Sequence, residues 1–349
     1  MKTEFSRRTL LMGAAALTAA STLPGMYLSN AHAAEVVQKT PVIGSKNVTG
    51  MQTPGSRARV YFTRHIDVEH LVRIYGFVNQ HIFGKVAIKL HTGEKHGPNI
   101  LPPALVAALQ KTIPNSSLVE TNTLYPGDRG TTADHRETLK INGWTFCPVD
   151  ILDEEEDVSL PVRNGLHLKE VAMGGHLVNY DSLVVLTHFK GHARGGFGGS
   201  MKNIAIGCAS GQVGKRQVHG VGEKLPATID GWPGKEPFME NMADSAKAVC
   251  DYFGPRMAYI NIMRRMSVDC DCAGTSAAEP TIPDLGICAS TDILAVDQAC
   301  CDMVFGMPES VNHDLVERIQ SRHGLRQLSA MAELGMGNPQ YELIDIDKA

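Results

Sequence analysis

Short apolar runs alternate along this chain with segments in which apolar residues recur at helical spacing. Residues 85–90 and 117–120 are typical of strands, and residues 103–109 and 134–141 are typical of the helices that follow them. Proline in the first turn of a helix costs no hydrogen bond, because the first N–H groups of a helix have no intrahelical partner. This alternation predicts an α/β fold with a mostly parallel sheet flanked by helices.

The second half of the chain continues the pattern. Residues 183–186 are apolar without alternation, which is typical of a central strand buried on both faces. Residues 257–263 predict another strand, and residues 341–346 predict a last strand at an edge of the sheet. Helical spacing recurs in residues 239–252, 293–305, 315–323 and 327–334. The sequence has no internal repeat, and we expect residues 58–349 to form one α/β domain.

The N terminus has the pattern of an export signal. Arg7 and Arg8 stand next to each other before the apolar residues 10–23, and residues 31–33 read Ala-His-Ala, a small-x-small cleavage site. This is the twin-arginine form of a bacterial signal, a route that carries proteins already folded. We therefore expect residues 1–33 to be a signal peptide and the mature protein to reach the periplasm folded.

A retained membrane anchor is the alternative interpretation of this segment. Gly13 and Pro24 interrupt the apolar run, whereas a spanning helix needs about 20 mostly apolar residues. No later segment reaches that length, so no membrane span is expected in the mature chain. Residues 34–57 are rich in Val, Thr, Gly, Ser and Pro and predict a flexible linker.

Charge argues against a nucleic-acid partner. Removal of residues 1–33 leaves 316 of the 349 residues and changes the formal net charge from −4 to −6. Proteins that bind nucleic acids need a basic surface.

The length of the mature chain is ample for a buried core, so the chain does not need disulfides for stability.

A glycine-rich segment, residues 187–203, directly follows the predicted buried strand. Ligands of open α/β sheets bind beyond the carboxyl ends of strands, where glycines allow the backbone to approach and consecutive N–H groups can bind an anion. His192 is a candidate for proton transfer. The alternative is a tight structural crossing whose basic residues face water. The residues predicted to bind a small anion are Lys190, Arg194, Gly196, Gly198, Lys202 and Asn203.

Two cysteines follow the strand predicted at residues 257–263. Cys270 and Cys272 are one residue apart, so in an extended chain both side chains point the same way and could face one metal ion. Thiolates suit zinc, copper or an iron–sulfur cluster. His188 and Cys288 are predicted as further ligands, with Cys208 and His192 as other candidates. Buried or oxidised thiols are an equally good interpretation.

Several separate blocks of the sequence resemble the bacterial and archaeal family called domain of unknown function 362, whose members often carry an iron–sulfur label. The resemblance implies an α/β domain but names no reaction. Many relatives also carry a ferredoxin-like module with cysteine-rich cluster motifs, and no such module is recognised in this sequence. The blocks are residues 89–94, 121–129, 134–135, 189–192, 195–203, 269–272, 284–287, 289–292 and 295–297.

Polar residues in two of these blocks directly follow predicted strands. Such loops should open on the same rim of the sheet as the glycine-rich segment. A rim that collects His, Asp, Glu, Arg, Lys and Cys is more typical of an active site than of a scaffold. With His192, the predicted catalytic residues are His91, Glu94, Asp128 and Arg129, and Asn122 is predicted to bind the ligand.

These observations favour a metal-dependent enzyme that acts on a small anionic substrate, with a metal ion or an iron–sulfur cluster as the cofactor. Redox, isomerase and lyase chemistry all stay open. One alternative is a non-catalytic module that binds or delivers a metal or cluster, or a subunit of an exported redox complex. A second alternative is a small-ligand binding protein.

The export signal gives a direct test. We expect replacement of Arg7 and Arg8 by lysine to leave uncleaved precursor in the cytoplasm, because the arginine pair gates the twin-arginine route. The measurement is the periplasmic fraction of the protein, with N-terminal sequencing of wild type to locate cleavage after Ala33. Lys2→Gln is the matched control, since it removes a charge but keeps the pair. Normal periplasmic accumulation of the lysine variant would refute the route.

Overall fold

The structure is a computed structural model that describes residues 57–228 and 231–348. The predicted signal peptide, and the predicted linker except Arg57, lie outside these residues. In the described part of the chain no helix is both long and apolar enough to cross a bilayer.

The described residues contain strands that form one large sheet and two small ones. In chain order they are β1 (Ala58–Thr63), β2 (Val86–Lys89), β3 (Ser116–Glu120), β4 (Val149–Ile151), β5 (Asp157–Pro161), β6 (Glu170–Gly174), β7 (Ser182–His188), β8 (Lys190–His192), β9 (Gly196–Gly198), β10 (Met257–Met263), β11 (Gly286–Ser290) and β12 (Tyr341–Asp345). The large sheet has the order β12-β1-β11-β10-β7-β2-β3-β4, and β5 pairs with β6 and β8 with β9.

Most neighbouring strands of the large sheet run parallel. The exceptions are the two pairings of β11, which is antiparallel to both β1 and β10. The predicted α/β fold with a mostly parallel sheet is thus confirmed. The predicted last strand is confirmed as well, because β12 lies at one edge of the sheet and pairs with β1.

Helices cover both faces of the large sheet. They are α1 (Val68–Tyr75), α2 (Pro103–Lys111), α3 (Thr132–Ile141), α4 (Ser200–Gly207), α5 (Gly214–His219), α6 (Lys235–Phe253), α7 (Ile293–Gly306), α8 (Glu309–Ser321) and α9 (Arg326–Glu333). The apolar residues of α1, α2 and α3 belong to one hydrophobic core, and those of the later helices belong to a second core.

The central strands are buried on both faces, as their apolar sequences predict. Every residue of β7 and of β10 is buried. Val184 and Leu186 belong to the core beneath α1–α3, whereas Leu183 and Val185 belong to the other core. Alternate side chains of a strand point to opposite faces, so one apolar run contributes to both cores. Each such side chain contributes about 1.5–3 kcal/mol on burial.

Strand β11 was not predicted from the sequence. It has only five residues and begins at Gly286, whose φ is 140°. A parallel neighbour of β10 would need a crossover helix, but the chain between β10 and β11 contains only a short 3₁₀ segment, Asp271–Ser276. The chain therefore returns in the antiparallel direction.

A buried carboxylate fixes the start of α4. Asp297 Oδ1 accepts hydrogen bonds from Ser200 N at 2.7 Å and Asn261 Nδ2 at 2.8 Å, and its Oδ2 accepts from Met201 N at 2.9 Å. Burial raises the pKa of Asp297 to about 6, so the group is still ionised at pH 7. A Cβ at Gly199 would lie 2.5 Å from Asp297 Oδ1, which explains the glycine there. The contact joins α4, α7 and β10.

This contact predicts a specific loss of stability. In Asp297→Asn, the amide NH2 group must replace an oxygen that now accepts from a backbone N–H, so two donors would face each other. We expect the free energy of unfolding at pH 7 to fall by about 2–3 kcal/mol. The measurement is chemical denaturation followed by circular dichroism.

The matched control is Asp251→Asn, because Asp251 is exposed and pairs only with Lys247 at 3.0 Å. We expect that variant to change the free energy of unfolding by less than about 0.5 kcal/mol. Equal losses in the two variants would contradict the role of Asp297.

Candidate functional site

A pocket opens at the carboxyl ends of four parallel strands, β2, β3, β7 and β10, which meet at the same edge of the sheet. We call it the rim pocket. The sequence-predicted site residues that line it are His91, Arg129, His188, Lys190, His192, Arg194, Gly198, Lys202, Asn203, Cys270 and Cys272. Of the predicted residues, Glu94, Asn122, Asp128, Gly196 and Cys288 do not line it.

A buried ion pair between Lys89 and Glu120 forms part of the pocket wall. Lys89 Nζ lies 2.9 Å from Glu120 Oε1 and donates to Leu90 O at 2.7 Å. Arg129 Nη1 lies 3.5 Å from Glu120 Oε2. Burial alone would raise the pKa of Glu120, but Lys89 and Arg129 outweigh it and lower the pKa to about 2. The carboxylate is therefore ionised at any physiological pH.

Glu94 and Asp128 position Arg129 and the surrounding loops. Glu94 Oε1 accepts from Arg129 Nη2 at 2.7 Å and from the hydroxyl of Tyr125 at 2.9 Å. Asp128 Oδ2 accepts from Lys95 N at 3.1 Å. Both predicted catalytic carboxylates thus bind protein donors beside the pocket.

Two thiols and an imidazole meet inside the pocket. One ligand atom from each of His91, Cys270 and Cys272 lies within 4.8 Å of the others. The hydrogen bond from the Cys272 thiol lowers the pKa of Cys270 well below its usual value despite burial, and the nearby cations Lys190 and Lys202 act in the same direction. The same pairing and burial raise the pKa of Cys272. Without a metal, the pair is therefore one thiolate and one thiol.

The hydrogen bonds of His91 define its tautomer. Gly93 N donates to His91 Nδ1 at 3.0 Å, so the proton of the neutral ring is on Nε2. Burial lowers the pKa of His91, which keeps the ring neutral, and a hydrogen bond joins His91 to Cys270. Nε2–H is the group left to donate to the thiolate.

His188 does not point a free nitrogen at the thiols. Its Nδ1 lies 2.9 Å from Asp271 Oδ2 and its Nε2 lies 2.7 Å from Arg264 O, so both nitrogens face oxygen atoms. Lys190 Nζ lies 3.0 Å from the same Asp271 oxygen. This geometry differs from the sequence prediction of His188 as a metal ligand, because both ring nitrogens already have oxygen partners.

Cys288 also lies away from the predicted metal site. It belongs to β11, and its Sγ lies 3.8 Å from Met303 Sδ in the core beneath α7. The sequence prediction that Cys288 joins Cys270 and Cys272 differs from this arrangement, because β11 turns the side chain into the core.

Lys202 is the cation best placed to bind a ligand. It is buried and lines the pocket, and among the described residues no carboxylate lies within ion-pair distance of its Nζ. Burial lowers its pKa, although Cys270 and Cys272 oppose that shift. His192 lies nearby, and its Nδ1 accepts from Gly195 N at 2.8 Å. Burial and Lys202 lower the pKa of His192, which keeps the ring neutral. Because Nδ1 accepts a hydrogen bond, the proton of the neutral ring is on Nε2.

Asn203, Asn122, Gly196 and Gly198, which were also predicted to bind the ligand, differ in whether they line the pocket. Asn203 Oδ1 accepts from Lys89 Nζ at 2.9 Å, and its amide donates to strand oxygens. Asn122 lies outside the pocket lining and bonds Thr132 Oγ1 at 2.9 Å. Gly196 has φ 77° and packs against Gly324, whereas Gly198 lines the pocket, where a Cβ would lie 3.8 Å from Lys202 Cδ.

Several residues of the pocket wall were not predicted from the sequence. The signal for Lys89 and Glu120 is present in the sequence, because each is a charged residue at the last position of an apolar strand. No local pattern marks the distant residues that complete the wall. These are Lys215, His219, Trp232 and Phe238.

The thiols do not fit an iron–sulfur cluster held by four cysteines. All eight cysteines lie in the described part of the chain as free thiols, and only Cys270 and Cys272 line the pocket. Clusters of this kind need four cysteine ligands. The donors that are present, two sulfurs and one imidazole, match a single metal ion better.

Comparisons with known proteins give a family but no reaction. The family described as Domain of unknown function (DUF362) matches residues 86–302. No curated protein matches the chain.

Two solved structures are similar to the chain at low identity. One is the lactate racemase apoprotein from Thermoanaerobacterium thermosaccharolyticum, with 13% identity, a TM-score of 0.41, and coverage of 75% of this chain and 60% of that one. The other is a protein from Thermotoga maritima, with 10% identity, a TM-score of 0.38, and coverage of 68% and 57%. The chain thus spans less than two thirds of either structure.

The buried ion pair predicts a pH-dependent stability. Glu120→Gln leaves Lys89 and Arg129 buried without the charge between them, so we expect the free energy of unfolding at pH 7 to fall by about 3–5 kcal/mol. A carboxyl with a depressed pKa stabilises the fold above its unfolded pKa and loses that effect as the pH falls through its folded pKa. For Glu120 the window runs from the ordinary 4.5 down to about 2. The variant should lose less stability than wild type over this window.

The control is Glu137→Gln, because Glu137 is exposed and lies 3.6 Å from Lys140 Nζ. We expect a change below about 0.5 kcal/mol for this surface pair. Denaturation curves at several pH values make the comparison. Identical acid profiles for wild type and Glu120→Gln would contradict the assignment.

Proposed function

This chain belongs to the DUF362 family, and we propose that it is a metal-dependent enzyme that acts on a small anionic substrate in the rim pocket. The observation that carries the proposal is the group formed by His91, Cys270 and Cys272 beside the cationic Lys202.

The three donors suit a catalytic metal rather than a structural one. Structural zinc sites have four protein ligands, whereas catalytic sites have three and leave one position for water or substrate. Two thiolates and an imidazole favour a thiophilic ion such as zinc. When bound, such an ion would supply Lewis acidity to an oxygen of the substrate or of a water molecule.

The charges of the pocket support an anionic substrate. Lys89 is paired with Glu120, Arg129 with Glu94 and Lys190 with Asp271. Lys202, Lys215 and Arg194 also line the pocket, and no carboxylate among the described residues pairs with them. An excess of buried positive charge attracts anions and is relieved when one binds.

Two residues of the chain would then bind the substrate in different ways. Lys202 would neutralise the negative charge of the substrate, and His192 would donate from Nε2–H to one of its oxygens. The apolar surroundings would strengthen both contacts, since they weaken the competition from water.

A metal-free thiolate enzyme is the second candidate, and one specific observation favours it. The hydrogen bond from Gly93 N to His91 Nδ1 leaves the proton on Nε2, whereas a ligating histidine usually donates from its other nitrogen. The low pKa of Cys270 in a cationic pocket is typical of a reactive cysteine.

Other outcomes correspond to the remaining alternatives. Bound metal or cluster without turnover would favour a binding or delivery module, or a subunit of an exported redox complex. Ligand binding without metal or turnover would favour a small-ligand binding protein.

We further propose that the protein acts in the periplasm after export in the folded state. The support is the arginine pair at Arg7 and Arg8 and the cleavage site that follows. A route that carries folded proteins suits a cofactor inserted in the cytoplasm.

Metal content tests the main proposal. Protein purified without oxygen should contain about one thiophilic metal ion per chain, and Cys270→Ser/Cys272→Ser should remove most of it, because both sulfurs are ligands. Metal loss should also lower the unfolding temperature. The measurement is elemental analysis per mole of protein. Cys147→Ser is the matched control, since Cys147 does not line the pocket.

Absence of metal from wild type, or equal content in the double variant, would contradict a metal site. In that case rapid alkylation of Cys270 by iodoacetamide at neutral pH would support the metal-free thiolate candidate.

A further inference from the structure

Part of the rim pocket wall is made of aromatic rings. His219 stacks on Phe238 with ring centroids 4.8 Å apart and an interplanar angle of 14°, and it meets Trp232 edge-on at 4.9 Å. All three rings line the same cavity as Lys202. The cavity therefore presents both a flat apolar surface and an ammonium group.

His219 is the polar member of this aromatic wall. Burial, and then Lys202, Lys215 and Arg194, lower the pKa of His219 to about 3, so its ring is neutral at physiological pH. Because Lys202 affects the pKa of His219, its ammonium group is close enough to the imidazole ring to interact with it electrostatically. His219 Nδ1 is buried and has no hydrogen-bond partner among the residues that the structure describes.

These features make a poor site for the smallest anions. Acetate or phosphate could pair with Lys202 but would leave the aromatic surface without contacts. A planar ring could pack against the wall by stacked or edge-to-face contacts, which aromatic pairs prefer.

We propose that the rim pocket selects anions that carry a planar apolar group, with aromatic carboxylates as the substrate class. The carboxylate binds Lys202 and His192, and the ring packs against His219, Trp232 and Phe238. This inference deepens the proposed function and rests on its claim that the pocket binds anions, but it does not depend on the metal.

Three carboxylates of graded shape test the inference on the wild-type protein. Benzoate has the planar ring, cyclohexanecarboxylate has a ring of similar size that is not planar, and acetate has none. We expect benzoate to bind roughly 10- to 100-fold more tightly than acetate, because the ring is buried. It should bind about threefold more tightly than cyclohexanecarboxylate through aromatic contacts. Isothermal titration calorimetry gives the affinities.

Tryptophan fluorescence locates the bound ring. The chain has two tryptophans, and Trp144 belongs to the core beneath α1–α3, away from the pocket lining. Benzoate should change the emission of wild type but not that of Trp232→Leu. The same variant should bind benzoate roughly tenfold more weakly and acetate equally well. Phe146→Leu, an aromatic change on the other core, is the matched control and should alter neither affinity.

The outcomes separate the two proposals. Equal binding of all three acids by wild type would overturn the aromatic class while the anion pocket stands. Failure of every acid to bind would overturn the anion pocket itself. Lys202→Met should weaken benzoate and acetate alike, and the preference for benzoate should persist in Cys270→Ser/Cys272→Ser. Loss of that preference in the double variant would overturn its assignment to the aromatic wall.

Discussion

The buried ion pair between Lys89 and Glu120 is the interaction on which the rim pocket depends. Two charges taken out of water are costly unless each is paired and hydrogen-bonded, and here both conditions hold. The pair joins the ends of β2 and β3, and Asn203 brings α4 into the same network. A Cβ at Gly207 would lie 2.3 Å from Lys89 Nζ, so the approach of α4 requires a glycine there. The loops that carry His91 and Arg129 start from this point.

Charge compensation in the pocket is incomplete, and the uncompensated positive charge supports the proposed binding of an anion. Glu120, Glu94 and Asp271 each balance a cation, and those pairs hold the wall together. Lys202 has no such partner among the described residues. A buried ammonium without a carboxylate is costly in the free protein, and that cost favours the binding of an anion. The thiolate of Cys270 lowers the cost without removing it, because the charge of Lys190 acts on the same sulfur.

The sequence is informative about the fold and the rim, and less so about individual contacts. The spacing of apolar residues and the apolar content of each segment were sufficient to predict β7, β10 and the edge strand β12. Because parallel strands end at the same edge of the sheet, the loops that follow them were expected to lie close together. His91 and Cys270 are in two of these loops, so their proximity could be predicted. Side-chain direction within short segments could not be predicted. Cys288 illustrates this, because β11 was not recognised and its antiparallel course turns the thiol into the core.

The hydrogen bonds of His91 are a second feature that could not be predicted from the sequence, and they affect the chemistry of the site. From the sequence, a histidine near two cysteines is simply a possible ligand. In the structure, Gly93 N occupies the lone pair of Nδ1, and the proton on Nε2 stabilises the thiolate of Cys270. A metal ion at the thiols would have to replace that proton and reverse the tautomer, so the Gly93 contact would break. Ligation of a metal by Nε2 and the hydrogen bond from Nε2–H to Cys270 are therefore mutually exclusive arrangements of the same side chains.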